Sequence, residues 1–225
     1  MKSTGENGDD GKAGAARRAM VELIRRRGVR DERVLAAMAR LPRELFVPQA
    51  NIATAYADAP WPIGEGQTIS QPYIIAYMTE ALALRPGERV LEIGTGTGYQ
   101  AAVLAGAGAR VWTIERNPVL AARARRVLDA LKIEGVQVRV GDGYDGWPEE
   151  APFDGILVTC APPEMPARLT EQLAEGGRMI APVGPVHGAQ QLIRLRHAAG
   201  RLTAYEDLSV AFVPMLPGLA AAARE

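Results

Sequence analysis

The chain has 225 residues, enough for one domain with a full core and a small accessory layer. Its 26 basic and 26 acidic residues cancel, so no global field draws it to nucleic acid or to an anionic membrane. One cysteine, Cys160, excludes an internal disulfide and cannot by itself hold zinc; with only His187 and His197 beside it, no metal is expected. No apolar run reaches the length of a membrane span, and residues 2–14 are polar and glycine-rich instead of built like a signal peptide. A cytoplasmic protein is therefore expected, with residues 1–14 as a disordered leader and 15–225 as one domain.

Ala15 to Arg27 carries Met20, Leu23 and Ile24 on one side and a basic opposite face, and Gly28 is placed to end it, so a helix is predicted. Arg17, Arg18, Arg25, Arg26 and Arg27 read as a solvated face, because acidic residues recur nearby and the total charge is nil. Asp31 is suited to cap a second helix with Val34, Leu35, Met38 and Leu41 on one side, closed by Pro42. From Pro42 to Gly66 the residues Pro42, Pro48, Pro60 and Pro62 forbid long helices, and Phe46, Tyr56 and Trp61 sit among them. An irregular stretch of that length is uncommon unless it lines a site, which predicts a lid or pocket wall. Gly66-Gln67-Thr68-Ile69-Ser70-Gln71-Pro72 leads into a helix bearing Ile74, Ile75, Met78, Ala81 and Leu82, with Ser70 as its N-cap and Pro72 in its first turn.

Val90-Leu91-Glu92-Ile93 reads as a short buried strand that stops at three glycines on alternate positions, Gly94, Gly96 and Gly98, before a helical run at Ala101 to Leu104. Glycines so spaced allow positive φ and a close approach of backbone to a ligand, while the following helix presents free N–H groups. Strand and helix then alternate: strand Val111 to Ile114, helix Pro118 to Leu131, strands Val136 to Val140 and Gly155 to Thr159, helix Pro166 to Ala174, a Gly176-Gly177 stop, strand Met179 to Val183. This predicts an α/β, doubly wound, mostly parallel sheet with helices on both faces. Gln191 to Arg196 and Leu208 to Val213 are strand-like without a helical crossover, so an antiparallel sheet edge is expected. The chain divides into residues 15–84, N-terminal helices and substrate-site segment; 85–184, cofactor core; and 185–225, antiparallel strands and tail.

In open α/β sheets the ligand lies beyond the C-terminal ends of the strands. Three ends carry suitable groups: the glycine loop; Glu115, an acid placed to accept both hydroxyls of a ribose; and Gly141-Asp142-Gly143, a short acid able to accept from an adenine amine. Together they point to an adenosine. A pyrophosphate binder would place its third glycine at position 99, which is Tyr99, so the G-x-G-x-G spacing favours S-adenosylmethionine over NAD. This spacing after an acid resembles motif I of the class I S-adenosylmethionine-dependent methyltransferases, whose fold is Rossmann-like.

Leu41-Pro42-Arg43-Glu44-Leu45-Phe46-Val47-Pro48, Tyr56-Ala57-Asp58, Pro62-Ile63-Gly64, Gln67-Thr68-Ile69-Ser70-Gln71-Pro72, Val158-Thr159-Cys160-Ala161-Pro162-Pro163 and Phe212-Val213-Pro214 together resemble the protein-L-isoaspartate O-methyltransferase family, from about Met20 to about Gly218. The Thr-Ile-Ser-Gln-Pro element is far more specific than motif I. The resemblance implies methyl transfer from S-adenosylmethionine, leaving S-adenosylhomocysteine, to the α-carboxylate of L-isoaspartyl residues in damaged proteins and peptides. It makes Ser70 the catalytic residue and places Gly94, Thr95, Gly96, Gly98, Glu115, Asp142 and Gly143 at the cofactor, with Glu92, Arg116 and Gln71 assigned there too. Thr68, Ile69, Ser70, Thr159 and Val213 are expected at the substrate. No nucleic acid or membrane partner is expected, and the protein is expected to be a monomer.

The chemistry asks for little. A peptide α-carboxyl, with a pKa of about 3.3 to 3.7, is already an oxygen nucleophile at neutral pH, so no general base is required. Cys160 reads as a buried small residue and not a nucleophile, and Trp61, Tyr73 and Phe212 read as core, although the resemblance implies that the segment Phe212-Val213-Pro214 closes over the site. A small-molecule or RNA methyltransferase would need the glycine loop but has no use for the Thr-Ile-Ser-Gln-Pro element.

Overall fold

The structure is a computed structural model and describes residues 6–186 and 188–220. Helix α1 (Glu6–Arg26) ends where Gly28 takes φ +111°. It starts inside the stretch expected as a disordered leader, of which residues 1–5 lie outside the described residues. Alanines favour its extension, and Ala13 is buried in the core with Met20 and Ile24. Helix α2 (Glu32–Arg40) is capped by Asp31, whose side chain accepts from Arg33 N, and it buries Val34, Leu35 and Met38 as the periodicity requires. The proline-rich stretch folds into a 3-10 turn at Arg43–Leu45, a short helix α3 (Ile52–Tyr56) and an antiparallel hairpin of β1 (Trp61–Gly64) and β2 (Gln67–Ile69).

Helix α4 (Pro72–Ala81) takes Gln71, not Ser70, as its N-cap residue, with no side-chain cap hydrogen bond. The Tyr73 N–H that a capping oxygen would receive is instead taken by Asp58 Oδ1 at 2.9 Å, so the Ser70 hydroxyl does not cap the helix. The central sheet follows: β3 (Arg89–Ile93), β4 (Arg110–Glu115), β5 (Val136–Val140), β6 (Phe153–Val158), β7 (Leu173–Val183), β8 (Gln190–Ala198) and β9 (Arg201–Val210), in the order β5-β4-β3-β6-β7-β8-β9. The first five are parallel; β8 and β9 are antiparallel, so the sheet carries the expected antiparallel edge. Helix α5 (Tyr99–Gly106) joins β3 to β4 and α6 (Pro118–Ala130) joins β4 to β5.

One crossover differs from the sequence pattern. The helix expected over Pro166 to Ala174 is a single turn, α7 (Ala167–Thr170), and β7 begins at Leu173, running through Gly176-Gly177. Two glycines suggest a stop; they fall where the register with β6 jumps from Leu173 to Arg178, and pairing with both β6 and β8 from Arg178 onward continues the strand past them.

Strand alternation sends Val90, Val111 and Leu157 to the face covered by Met78 and Leu82 of α4 and Leu104 of α5. Leu91, Ile93, Trp112, Ile156 and Val158 take the other face, covered by Leu169 of α7, Tyr144, Trp147 and Met215. A third cluster joins α1 to α3 with α5 and α6 through Ile24, Leu35, Met38, Phe46 and Tyr99. Among the described residues no helix is long and apolar enough to cross a membrane.

Candidate active site

The glycine loop leaves β3 at the sheet's switch point, where β4 lies to one side and β6 to the other. Gly94, Gly96 and Gly98 have φ of +97°, +52° and +85°, which non-glycine residues adopt only at a cost. At Gly94 a Cβ would stand 2.3 Å from Thr159 Oγ1. Gly98 serves packing instead: a Cβ there would meet Ala124 and Leu128 of α6 at 3.3–3.4 Å.

The loop is held from behind. Glu92 is fully buried, and its register with Thr113 points both side chains to one face of the sheet. The Thr113 hydroxyl donates to Glu92 Oε2, and Thr95 Oγ1 lies 2.7 Å from Thr113 Oγ1. Glu92 Oε1 has no partner, and burial pushes the carboxyl up to about 8. Glu92, expected at the cofactor, is not in the lining of the cleft: it lies within β3 beneath the loop, where the Thr113 hydroxyl links it to Thr95.

A cleft of about 110 Å³ opens beyond the strand ends, lined by Gly94, Gly96, Glu115, Arg116 and Gly143 among the expected cofactor residues. Glu115 is buried; Oε2 accepts from Gly96 N at 2.9 Å and Oε1 from Asn117 N at 2.9 Å, which leaves each oxygen a free lone pair toward the cleft. Asp142 is turned away from the lining: one oxygen accepts from Tyr144 N at 2.9 Å, the other from Gly218 N at 2.5 Å. Arg116 donates to the carbonyls of Gly218 and Pro217, at 3.0 and 3.3 Å. The segment from Pro214 to Ala220 is thereby strapped across the cleft, with Met215 and Leu216 in its wall.

A second, open cleft of about 580 Å³ lies on the far side of β2, lined by Thr68, Ser70, Gln71, Tyr73, Thr159 and Val213. Thr68, Thr159 and Val213 line both clefts, so the two meet there. Gln71, expected at the cofactor, stands on this side. Ile69 points the other way along β2, 6% exposed, into a small cavity beneath the Thr68–Ser70 turn. The Ser70 carbonyl accepts from Arg43, and its hydroxyl has no hydrogen-bond partner among the described residues. The Thr159 hydroxyl is spent on the loop, donating to Gly94 O and Ile93 O at 2.7 and 2.9 Å.

Asn117 and Arg27 escaped sequence reasoning as lining residues. Asn117 caps α6 through Val119 N and also donates Nδ2 to Glu65 Oε2 at 3.2 Å, tying the β1–β2 turn to the cofactor cleft. Arg27, read as a solvated helix face, lies 3.7 Å over the Tyr73 ring, pairs with Asp58 and borders the substrate cleft. Phe212 borders it as well, its backbone clamped by buried Gln190, which accepts from Phe212 N at 2.7 Å and donates to Phe212 O at 3.1 Å. Cys160 lines the cofactor cleft, but burial pushes its thiol up to about 12, which suits a neutral wall residue.

Comparison with known proteins shows which family the chain resembles. A Methylorubrum populi protein-L-isoaspartate O-methyltransferase is 56% identical over 210 residues, covering 92% of this chain and 98% of the relative. One from Methanoculleus marisnigri is 54% identical over 201 residues, covering 89% and 91%. A solved protein-L-isoaspartate O-methyltransferase superposes with a TM-score of 0.83 at 32% identity, over 90% of this chain and 67% of that one. A Plasmodium falciparum structure assigned to the same enzyme, in complex with S-adenosyl-L-homocysteine, does so with 0.77 at 25% identity, over 89% and 98%. The family model for protein-L-isoaspartate(D-aspartate) O-methyltransferase matches residues 15–219, and with its relatives' identity spanning nearly the whole length, this chain belongs to that family.

Proposed function

We propose that this protein moves the methyl group of S-adenosylmethionine to the α-carboxylate of L-isoaspartyl residues in damaged proteins and peptides. The observation that carries the reading is the junction of a narrow adenosine-suited cleft with an open peptide-sized cleft at Thr68, Thr159 and Val213, beside a serine hydroxyl with no partner. The residues present suit the cofactor: Gly94 and Gly96, both at positive φ, bring bare backbone to the cleft wall, and Glu115 offers a carboxylate with lone pairs to spare. When bound, S-adenosylmethionine supplies an electrophilic methyl on a sulfonium.

The chain's own part is positioning. Ser70 donates its hydroxyl to one oxygen of the substrate carboxylate and leaves the other free to attack. Proton removal is unnecessary, because that carboxylate is ionised well below neutral pH. A neutral hydroxyl suits the task, since a tight ion pair would hold the nucleophile back. Arg27, the charged side chain in the lining of this cleft, is engaged by Asp58. Thr159 and Glu92 keep the glycine loop in register from two sides. Holding two reactants in line in this way contributes about 7 to 11 kcal/mol.

The test is transfer of radiolabelled methyl to an isoaspartyl peptide but not to its normal aspartyl twin, followed by release of methanol as the ester closes to a succinimide. Equal labelling of both peptides, or of neither, overturns the proposal.

A further inference from the structure

Arg43 is the largest charged side chain in the core, 1% exposed in the 3-10 turn after Pro42. No carboxylate lies within 4.0 Å of it among the described residues. Burying an unpaired charge is costly, and an apolar residue of similar volume would fill the space without that cost. What a guanidinium adds is a rigid planar fork of donors. Here the fork spans two segments: Nε donates to Ala55 O at 2.8 Å and Nη2 to Ser70 O at 2.9 Å. Its plane lies over a third, with the guanidinium carbon 4.7 Å from the centroid of the Tyr99 ring. Tyr99 is the first residue of α5, directly after Gly98, and is itself buried. One group therefore touches the end of α3, the residue proposed to hold the substrate carboxylate, and the start of the helix that follows the glycine loop.

We infer that Arg43 is a positioning residue for methyl transfer: by holding the Ser70 carbonyl while packed on Tyr99, it sets the Ser70 hydroxyl at its working distance from the glycine loop. Arg43 touches neither substrate nor cofactor. Its effect passes through the Ser70 backbone, and the inference rests on the role proposed for Ser70. A displacement of about 1 Å between reacting groups is enough to cost about a hundredfold in rate.

The test is a double-mutant cycle on the full chain, with Arg43→Lys, Ser70→Ala and the double variant assayed on an isoaspartyl peptide. Lysine keeps the charge and reaches one carbonyl but lacks the fork. Arg43→Lys is expected to melt cooperatively, to bind S-adenosylhomocysteine by calorimetry within about twofold of the parent, and to lose about tenfold to a hundredfold in kcat. In the Ser70→Ala background the same change is expected to cost no more than about twofold, because no hydroxyl remains to be placed. Equal losses in both backgrounds, an unchanged kcat, a parallel loss of cofactor affinity, or a Lys variant that does not fold each assigns Arg43 to scaffolding and overturns the inference. Undiminished turnover by Ser70→Ala alone instead refutes the role of Ser70, and Arg43's positioning role with it; only the first set of results leaves Ser70's role standing.

Discussion

Replacing Glu92 with glutamine should change how stability depends on pH. In the folded chain this carboxyl is fully buried, carries one hydrogen bond from Thr113 and has an unpartnered oxygen, and its pKa is pushed up to about 8 from an ordinary 4.5, first by burial and then by the neighbouring Glu115. Between those two values the folded protein keeps a proton that the unfolded chain has released. The unfolded state therefore binds fewer protons, and stability falls as pH rises, by about 1.36 kcal/mol per pH unit at most. Below 4.5 both states are protonated and above 8 both are ionised, so the loss is confined to that window. Across it the total reaches roughly 5 kcal/mol as an upper bound, a large part of the stability of an ordinary domain. Glu92→Gln has no proton to lose. Urea unfolding of parent and variant at intervals from pH 4.5 to 8.5 isolates the contribution, because other titrating groups cancel in the difference. The variant should gain on the parent steadily as pH rises. Parallel curves would mean that Glu92 is solvated or already ionised in the fold, and the account of its burial would be wrong.

Three other substitutions probe the walls of the site. Gly94→Ala forces a side chain into φ +97° and into Thr159, so it should destabilise by about 1–3 kcal/mol and weaken S-adenosylhomocysteine binding in calorimetry; unchanged affinity would show that the loop has room to move. Gln190→Leu leaves the Phe212 N–H and C=O without their clamp, which should cost about 1–3 kcal/mol in a melt and raise KM for the peptide more than it lowers kcat. Arg116→Ala removes the side-chain donors that hold Pro217 and Gly218. Amide exchange near the end of the strap should then accelerate while global stability changes by about 1 kcal/mol or less; unaltered exchange would show that the Asp142 and Ala220 contacts hold the strap alone.

What the sequence determined by itself is what rests on short-range physics. Three glycines after an apolar strand could only be a tight turn into a helix, and all three take positive φ. Asp31 caps α2 because a carboxylate two residues ahead of an N–H accepts from it whatever the surroundings. Alternation of strand and helix gave the parallel sheet, and the missing crossover after β7 gave its antiparallel edge. The residues Thr68, Ser70 and Val213, which the family motifs singled out, line one cleft.

Tertiary structure decided the direction in which polar groups face and which distant segments they join. Glu92 and Glu115 are both acids at or near strand ends and face the same side of the sheet, yet Glu92, within β3, is buried beneath the loop while Glu115, last in β4, reaches the cleft. The strap on Arg116 bridges 102 residues, and the hold of Arg43 on Ser70 bridges 27; no periodicity records either. Gly176-Gly177 reads as a stop by local propensity, but pairing with β6 and β8 from Arg178 onward continues β7 beyond it. Propensity and spacing act within a few residues, whereas these choices arise from hydrogen bonds and packing between segments that become neighbours only once the sheet has formed.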